Sequence, residues 1–344
     1  MTTEASGKLY AGLDLHANNT YCAVINQTGQ AVFQQRLHNE LPTICQALAP
    51  YQPQLQAVAV ESTFNWYWLV DGLQAAQFPV QLANPAKIQQ YTGLKRTGDP
   101  SDALWLAEML RLNILPTGYI YPRETRAVRD MARRRMLVVQ QATRTLLSLQ
   151  SMVTRHTGQT VRGRGLEDWT LVEMGAAFPD AAAQETAVAL QELLREQRRI
   201  QHALEKNVLA RVKLAGAWER LLTLPGVGNI LGVTILLETG PIARFASAGD
   251  YASYCRAVDS RCDSNGTKKG ENNRKNGNKY LAWAFVEAAN YAARYNARAQ
   301  AWLARKTART LRVVAVKALA CKLAKAAYYV LRDDVEFNEV KMFG

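Results

Sequence analysis

The sequence is poor in the residues that staple a fold or anchor it in a bilayer. Its five cysteines (Cys22, Cys45, Cys255, Cys262 and Cys321) are scattered over 344 residues, with no C-x-x-C pair. That spacing argues against a zinc ribbon and against a disulfide framework, and it fits a reducing compartment. No apolar run approaches the roughly 20 residues of a membrane span. The opening Met-Thr-Thr-Glu-Ala-Ser-Gly-Lys lacks the layout of a signal peptide. We therefore expect a soluble, cytoplasmic protein with no membrane partner. Negative charge is also scarce: 29 acidic residues face 42 lysines and arginines, for a net charge of +13. No acidic residue falls between Asp130 and Glu167, or between Glu287 and Asp333. A balance of this kind favours polyanions, nucleic acid first and an acidic membrane surface second.

What acid there is falls at telling positions. Lys8 to Ile25 reads as two short apolar runs joined by a polar turn, which predicts a β-hairpin whose first strand ends on Asp14. A carboxylate there costs several kcal/mol unless it is compensated, and a divalent metal with hard oxygen ligands is one compensator. A third strand over 30–36 and a helix over 41–49 follow. The run Gln56-Ala-Val-Ala-Val-Glu61 then repeats the device, an apolar strand ending on a carboxylate. Helical spacing over 62–73 and a strand over 78–82 complete an alternating α/β pattern. Sites in open α/β sheets form at the carboxyl ends of strands.

Next comes Gly98-Asp99-Pro-Ser-Asp102, in which Asp99 is placed as an N-cap before Pro100 and Asp102 lies on the same face of the first turn. Taken alone, this pair is normal helix-start chemistry. Taken with Asp14 and Glu61, it makes D…E…D-x-x-D. That pattern resembles the RNase H-like fold of the RuvC resolvase type, where four carboxylates hold two Mg²⁺ ions for in-line phosphoryl transfer.

From Arg123 the pattern turns helical and basic, with Arg126, Arg129, Arg133, Arg134 and Arg135 close together. One charge sign without the other points to a phosphate-backbone partner, for which the arginine fork is suited. A second amphipathic helix over 184–214 could pair with the first as an antiparallel hairpin or coiled-coil arm. Leu224-Pro-Gly226-Val-Gly228 resembles a helix-hairpin-helix turn, whose backbone donors would meet a phosphate at Gly226 and Gly228. The loop 259–280 is rich in glycine, asparagine and cations, among them Lys268, Lys269, Arg274, Lys275 and Lys279, and its hydroxyls include Ser260, Ser264 and Thr267. A serine needs activation to attack a phosphodiester. From Leu281 the chain reads as helical to about Arg332. It is strongly basic there, with interleaved aromatics that could stack on bases but mostly suit a core.

Gly12-Leu-Asp14, Ala59-Val-Glu61-Ser-Thr, Gly98-Asp99-Pro-Ser-Asp102-Ala, Leu224-Pro-Gly-Val-Gly228 and Ser264-Asn-Gly…Gly270…Lys275-Asn-Gly277-Asn recur in one order over nearly the whole chain. In this the sequence resembles the IS-one-ten family of bacterial insertion-sequence transposases, which includes pilin-gene invertases. The resemblance implies an α/β plus α architecture in three parts. A RuvC-like DEDD domain would occupy 1–122, a basic helical or coiled-coil region 123–215, and a mainly helical C-terminal transposase domain 216–344. It implies Mg²⁺, with Mn²⁺ as an alternative, on Asp14, Glu61, Asp99 and Asp102, and a nucleophilic serine at Ser264 that becomes covalently joined to DNA. It further implies donor and target DNA, a noncoding bridge RNA as guide, and a homodimer that assembles to a tetramer. Many relatives have Ser-Gly where this chain has Ser264-Asn265-Gly266, which leaves Ser260 as the fallback nucleophile.

Three rivals remain. A plain RuvC-like endonuclease would need the four carboxylates but no serine. A small-molecule kinase of the actin-like ATPase fold would share the opening hairpin, but no later glycine-rich nucleotide loop supports it. A non-catalytic nucleic-acid scaffold would not need Asp14.

Overall fold

The computed structural model describes residues 7–88, 99–212, 216–258, 262–264, 267–270 and 276–344. The chain divides into two compact units, Met1–Arg123 and Glu124–Gly344.

The first unit is built on a six-stranded mixed sheet of order β3-β2-β1-β4-β5-β6. In chain order its elements are β1 (Leu9–Leu15), β2 (Asn19–Asn26), β3 (Ala31–His38), α1 (Leu41–Leu48), β4 (Leu55–Glu61), α2 (Tyr67–Ala75), β5 (Val80–Ala83), α3 (Pro85–Ile88), α4 (Asp99–Arg111) and β6 (Thr117–Gly118). The predicted hairpin forms, with β1 and β2 antiparallel from Leu9↔Asn26 to Leu15↔Thr20. On its other side β1 runs parallel to β4, and β4 runs parallel to β5. As the apolar run suggested, β1 is covered on both faces. Leu9, Ala11, Leu13 and Leu15 share a core with Ile44 and Leu48 of α1 and Leu69 and Leu73 of α2. The alternate residues face the other way. There, Ala57 and Ala59 of β4 and Tyr10 of β1 pack with Leu106, Met109 and Leu110 of α4.

The predicted helix from Ser62 starts only at Tyr67. The intervening polar residues tie down a loop instead. The Thr63 hydroxyl donates to Asn65 Oδ1 at 2.9 Å, and the Asn65 amide donates to the His16 carbonyl at 3.0 Å.

The second unit is mainly helical. It contains α5 (Arg123–Thr157), α6 (Leu171–Ala176), α7 (Ala181–Arg211), α8 (Gly216–Leu222), α9 (Asn229–Thr239) and α10 (Ala248–Tyr254). A small hairpin of β7 (Cys262–Ser264) and β8 (Thr267–Gly270) follows, then α11 (Lys279–Tyr295), α12 (Ala297–Thr307), α13 (Arg312–Asp333) and α14 (Glu339–Phe343). Helices α5 and α7, roughly 52 and 46 Å long at the usual rise, pack through Leu146, Leu149 and Val153 of α5 and Ala187 and Leu194 of α7. Arg135 bridges them further along, its Nε donating to Glu205 at 2.8 Å. The remaining helices close around a second core that includes Leu224, Tyr251, Phe285, Leu319 and Leu323.

The single basic helix expected over 281–332 is three. Asn296 breaks it first, leaving the helical region and accepting from the Ala299 amide to cap α12. The second break lies at 308–311, before α13. Among the described residues no helix is long and apolar enough to cross a membrane.

Candidate functional site

Four observations assemble the site of the first unit. Asp14 lies near the end of β1 and Glu61 at the end of β4. Leu13 pairs with Val60 in the parallel register, so the two carboxylates follow as neighbours on adjacent strands. Both sit at even steps from Gly12 and Ala59, which puts them on the face that α4 covers. Helix α4 crosses β1 in backbone contact. A Cβ on Gly12 would lie 2.0 Å from the Ala103 carbonyl oxygen and 2.8 Å from the Ala107 nitrogen.

The direction of α4 follows from its far end. Arg111 Nη1 donates to the Gln27 carbonyl at 3.3 Å, in the β2–β3 turn beyond Asn26. Because Asn26 pairs with Leu9, the carboxyl end of α4 lies over the start of β1. The first turn of α4, with Asp99 and Asp102, therefore lies toward the end of β1 that carries Asp14. Glycine at position 12 is thus a requirement of close helix–sheet approach, not of backbone conformation.

Asp14 is only 3% exposed. Its Oδ2 lies 3.1 Å from His16 Nε2, with the imidazole itself half-exposed. Glu61 and Asp102 are half-buried. His16 was not singled out from the sequence; its signal was a histidine two residues beyond a strand-end carboxylate. Phe64, three residues beyond Glu61, is 85% exposed, the most exposed large apolar side chain among the described residues. Among the described residues no three acidic, histidine or cysteine side chains form a group that could hold a metal ion. The donor type is nevertheless that taken by hard cations: Asp14 and Glu61 are carboxylates on neighbouring strands of one sheet face, and Asp14 is withdrawn from water.

In the second unit Ser264 ends β7 and occupies the last rung of its hairpin, paired with Thr267. Lys268 and Lys269 lie in β8, and Lys279 opens α11. Ser260, Arg274 and Lys275 lie outside the described residues. Gly226 has φ +80°, and a Cβ there would lie 2.1 Å from the Ala288 carbonyl oxygen of α11, so this glycine serves the docking of the Leu-Pro-Gly-Val-Gly turn on α11. Gly228, the N-cap of α9, is open: a Cβ there would meet nothing within 4 Å.

The basic start of α5, expected to present its arginines to a phosphate backbone, is partly buried. Arg126 and Arg129 are 3% and 5% exposed. Arg133 forms a two-pronged pair with buried Glu238, at 2.6 and 2.7 Å. Burial alone would lower the Arg133 pKa; the Glu238 hydrogen bonds outweigh it and hold the guanidinium above its ordinary value. Only Arg134 of these four is exposed. For Arg133 the physical reason is that Glu238, a buried carboxylate in the apolar helix α9, needs a cation. Glu238 also accepts from the Asn278 amide at 2.7 Å. The side-chain oxygen of Asn278 caps the start of α11, just after the serine loop.

Two protein-family models match the chain. A model described as a transposase, of the DEDD type found in IS110 elements, matches residues 11–157. A second, described as the transposase IS116/IS110/IS902 family, matches residues 218–304. No curated protein matches the chain. The protein is a transposase, an enzyme acting on DNA. The chain belongs to the IS110 family, whose two models together span about two thirds of it. The DEDD match also supports dependence on a divalent metal.

Proposed function

We propose that this transposase cuts and rejoins DNA through a serine nucleophile, with Asp14, Glu61, Asp99 and Asp102 as the metal-holding set and an element-encoded RNA as guide. The observation that carries the reading is the packing of α4 on β1 at Gly12, which brings an acidic first turn to the sheet edge where Asp14 and Glu61 stand side by side. The sheet order with antiparallel β1–β3 and parallel β1, β4 and β5 fits an RNase H-like domain of the RuvC type. Such a domain would end near 122, followed by a helical arm to about 215 and a transposase domain beyond it.

When bound, Mg²⁺ or Mn²⁺ would supply Lewis-acid polarisation of the scissile phosphate and charge neutralisation. The chain's own contributions are these. The sheet and α4 hold the carboxylates in fixed positions before substrate arrives, so little reorganisation is needed at reaction. Asp14, withdrawn from water, gains more from a cation than an exposed carboxylate would. Ser264, on a hairpin rung flanked by Lys268 and Lys269, supplies the hydroxyl oxygen that attacks phosphorus as the 3′ or 5′ oxygen of the strand leaves. The phosphodiester energy is then kept in a phosphoserine bond, and a free DNA end reverses the step without ATP. Arg134, Lys279 and the open Gly228 turn would contact nucleic-acid backbone, while base pairing with the guide reads sequence. The buried Arg126 and Arg129 and the half-buried Arg133 are structural in this reading. A homodimer associating to a tetramer would bring two DNA duplexes together for exchange.

The test is strand cleavage and exchange on donor and target DNA with the element's RNA and Mg²⁺. Asp14→Asn and Ser264→Ala should each abolish both activities. Cleavage at the wild-type rate by Ser264→Ala would instead favour water as nucleophile, the plain endonuclease.

A further inference from the structure

Helix α11 turns a regular stripe to the outside. Its core side is Leu281, Ala284, Phe285, Ala288, Ala289 and Ala292. At four-residue spacing on another side come Trp283, Glu287, Tyr291 and Tyr295. All four line one groove of about 1130 Å³ within the second unit. Interleaved aromatics are usually core, as Phe285 and Tyr328 are here. Tyr291 and Tyr295 are not: they are 46% and 74% exposed. Their rings are near-parallel, 13° apart with centroids 6.4 Å apart, and the Arg294 guanidinium lies 5.7 Å from the centre of the Tyr295 ring. The facing wall, from α5, α7 and the loop at Arg164, is cationic. Arg144 there is exposed, with no ion pair among the described residues, and Arg164 is 74% exposed and only 3.9 Å from Glu167.

We infer that this groove holds a single-stranded segment of nucleic acid, its bases stacked on Tyr291 and Tyr295 and its phosphates on Arg144 and Arg164. The inference rests on the nucleic-acid reading above and assigns it a place and a strand state. The groove exceeds the usual 300–1,000 Å³ of a small-molecule pocket, so a polymer suits it better than a metabolite. Flat exposed rings beside cations bind unpaired bases, because a paired base in a duplex offers no free face. Glu287 sets the orientation. A carboxylate on the aromatic wall repels phosphate but accepts from base amino groups or a ribose hydroxyl, so the backbone must run along the arginine wall. A protein partner is the less favoured occupant, since two arginines with little or no acidic pairing would meet it.

The experiment uses the full-length protein and short fluorescent strands of one sequence, as single-stranded RNA, single-stranded DNA and duplex, with a 2-aminopurine base in each single strand. The Tyr291→Ala/Tyr295→Ala double variant should bind single strands about tenfold or more weakly, given stacking worth about 1–3 kcal/mol per base. It should lose the 2-aminopurine quenching while leaving duplex affinity within about twofold. Tyr295→Trp should keep both. Arg144→Gln should lower the salt slope by about one. Circular dichroism checks that the helix is intact. Loss in the RNA arm or the DNA arm supports the inference and identifies the strand. Unchanged single-strand affinity in the double variant overturns it. So does a change of oligomeric state at unchanged affinity, which would make the groove a seat for protein. Wild-type protein that binds none of the strands overturns this inference and the proposed function together.

Discussion

Replacing Gly12 by alanine adds one methyl group, and the structure says what that methyl must do. It would stand 2.0 Å from the Ala103 carbonyl oxygen, where real contacts do not fall below 3.0 Å, so about 1 Å has to be found. The obstructing atoms are backbone of α4 and cannot rotate away. Either α4 retreats from β1 or β1 bends under it. Overpacking of this kind costs about 1–3 kcal/mol. The functional loss should be larger than the stability loss. A helix displaced by about 1 Å carries Asp99 and Asp102 with it, and misplacement of catalytic groups by that much costs about 10²-fold in rate. Gly118→Ala is the matched control, because a Cβ there meets Leu82 at an ordinary 3.7 Å. Urea denaturation and DNA strand cleavage, measured on both variants, decide the matter. A Gly12→Ala protein as stable and as active as wild type would refute the placement of α4 over β1, and with it the proposed gathering of the acidic residues.

Other consequences are simpler to read. Gly226→Ala should destabilise the second unit by about 1–3 kcal/mol through its clash with α11 and its left-handed backbone, while Gly228→Ala should leave the melting temperature almost unchanged. Arg133→Ala strands the buried Glu238 carboxylate and should cost about 3–5 kcal/mol by urea titration, against less than about 0.5 kcal/mol for exposed Arg134→Ala. Burial by itself would raise the Glu205 carboxyl pKa, but hydrogen bonds from Gln201 and Arg135 outweigh it and hold it below the ordinary range. Its contribution is therefore present above the unfolded-state pKa and lost as pH falls through the folded one, so the melting difference between wild type and Arg135→Gln should shrink in acid. Burial pushes the Cys22 thiol up to about 12. Iodoacetamide at mildly alkaline pH should spare Cys22 in the native protein and modify it in urea, as mass spectrometry would record.

How much of this could be read beforehand varied with the kind of signal. The hairpin at Asp14, the strand ending on Glu61 and the helix opening on Asp99 follow local rules of periodicity and capping, which act within a few residues. What would gather them in the proposed site is the absent side chain at Gly12, whose partner on α4 is some ninety residues away; no local pattern reveals that. The arginines of α5 misled for the reverse reason. Their charge was visible, but the partner of Arg133, Glu238, lies 105 residues on, and the burial of Arg126 and Arg129 is set by tertiary packing, so arginines that read as a phosphate-binding face are partly interior. The aromatics of 281–332 read mostly as core, with base stacking as the alternative, and the four-residue spacing of Tyr291 and Tyr295, offset from the alanine-rich core stripe, separates them from Phe285. The long C-terminal helix was broken by Asn296, whose capping role depends on which amide it meets.

In the proposed reaction the Ser264 oxygen becomes bonded to DNA phosphorus. The direct measurement is to trap the protein on a labelled DNA substrate with Mg²⁺, denature, digest with protease and nuclease, and locate the adduct by tandem mass spectrometry. The expected product is a nucleotide-bearing phosphoserine at Ser264, absent from Ser264→Ala and from Asp14→Asn. Cleaved DNA with no adduct, or an adduct that persists in Ser264→Ala, would contradict it.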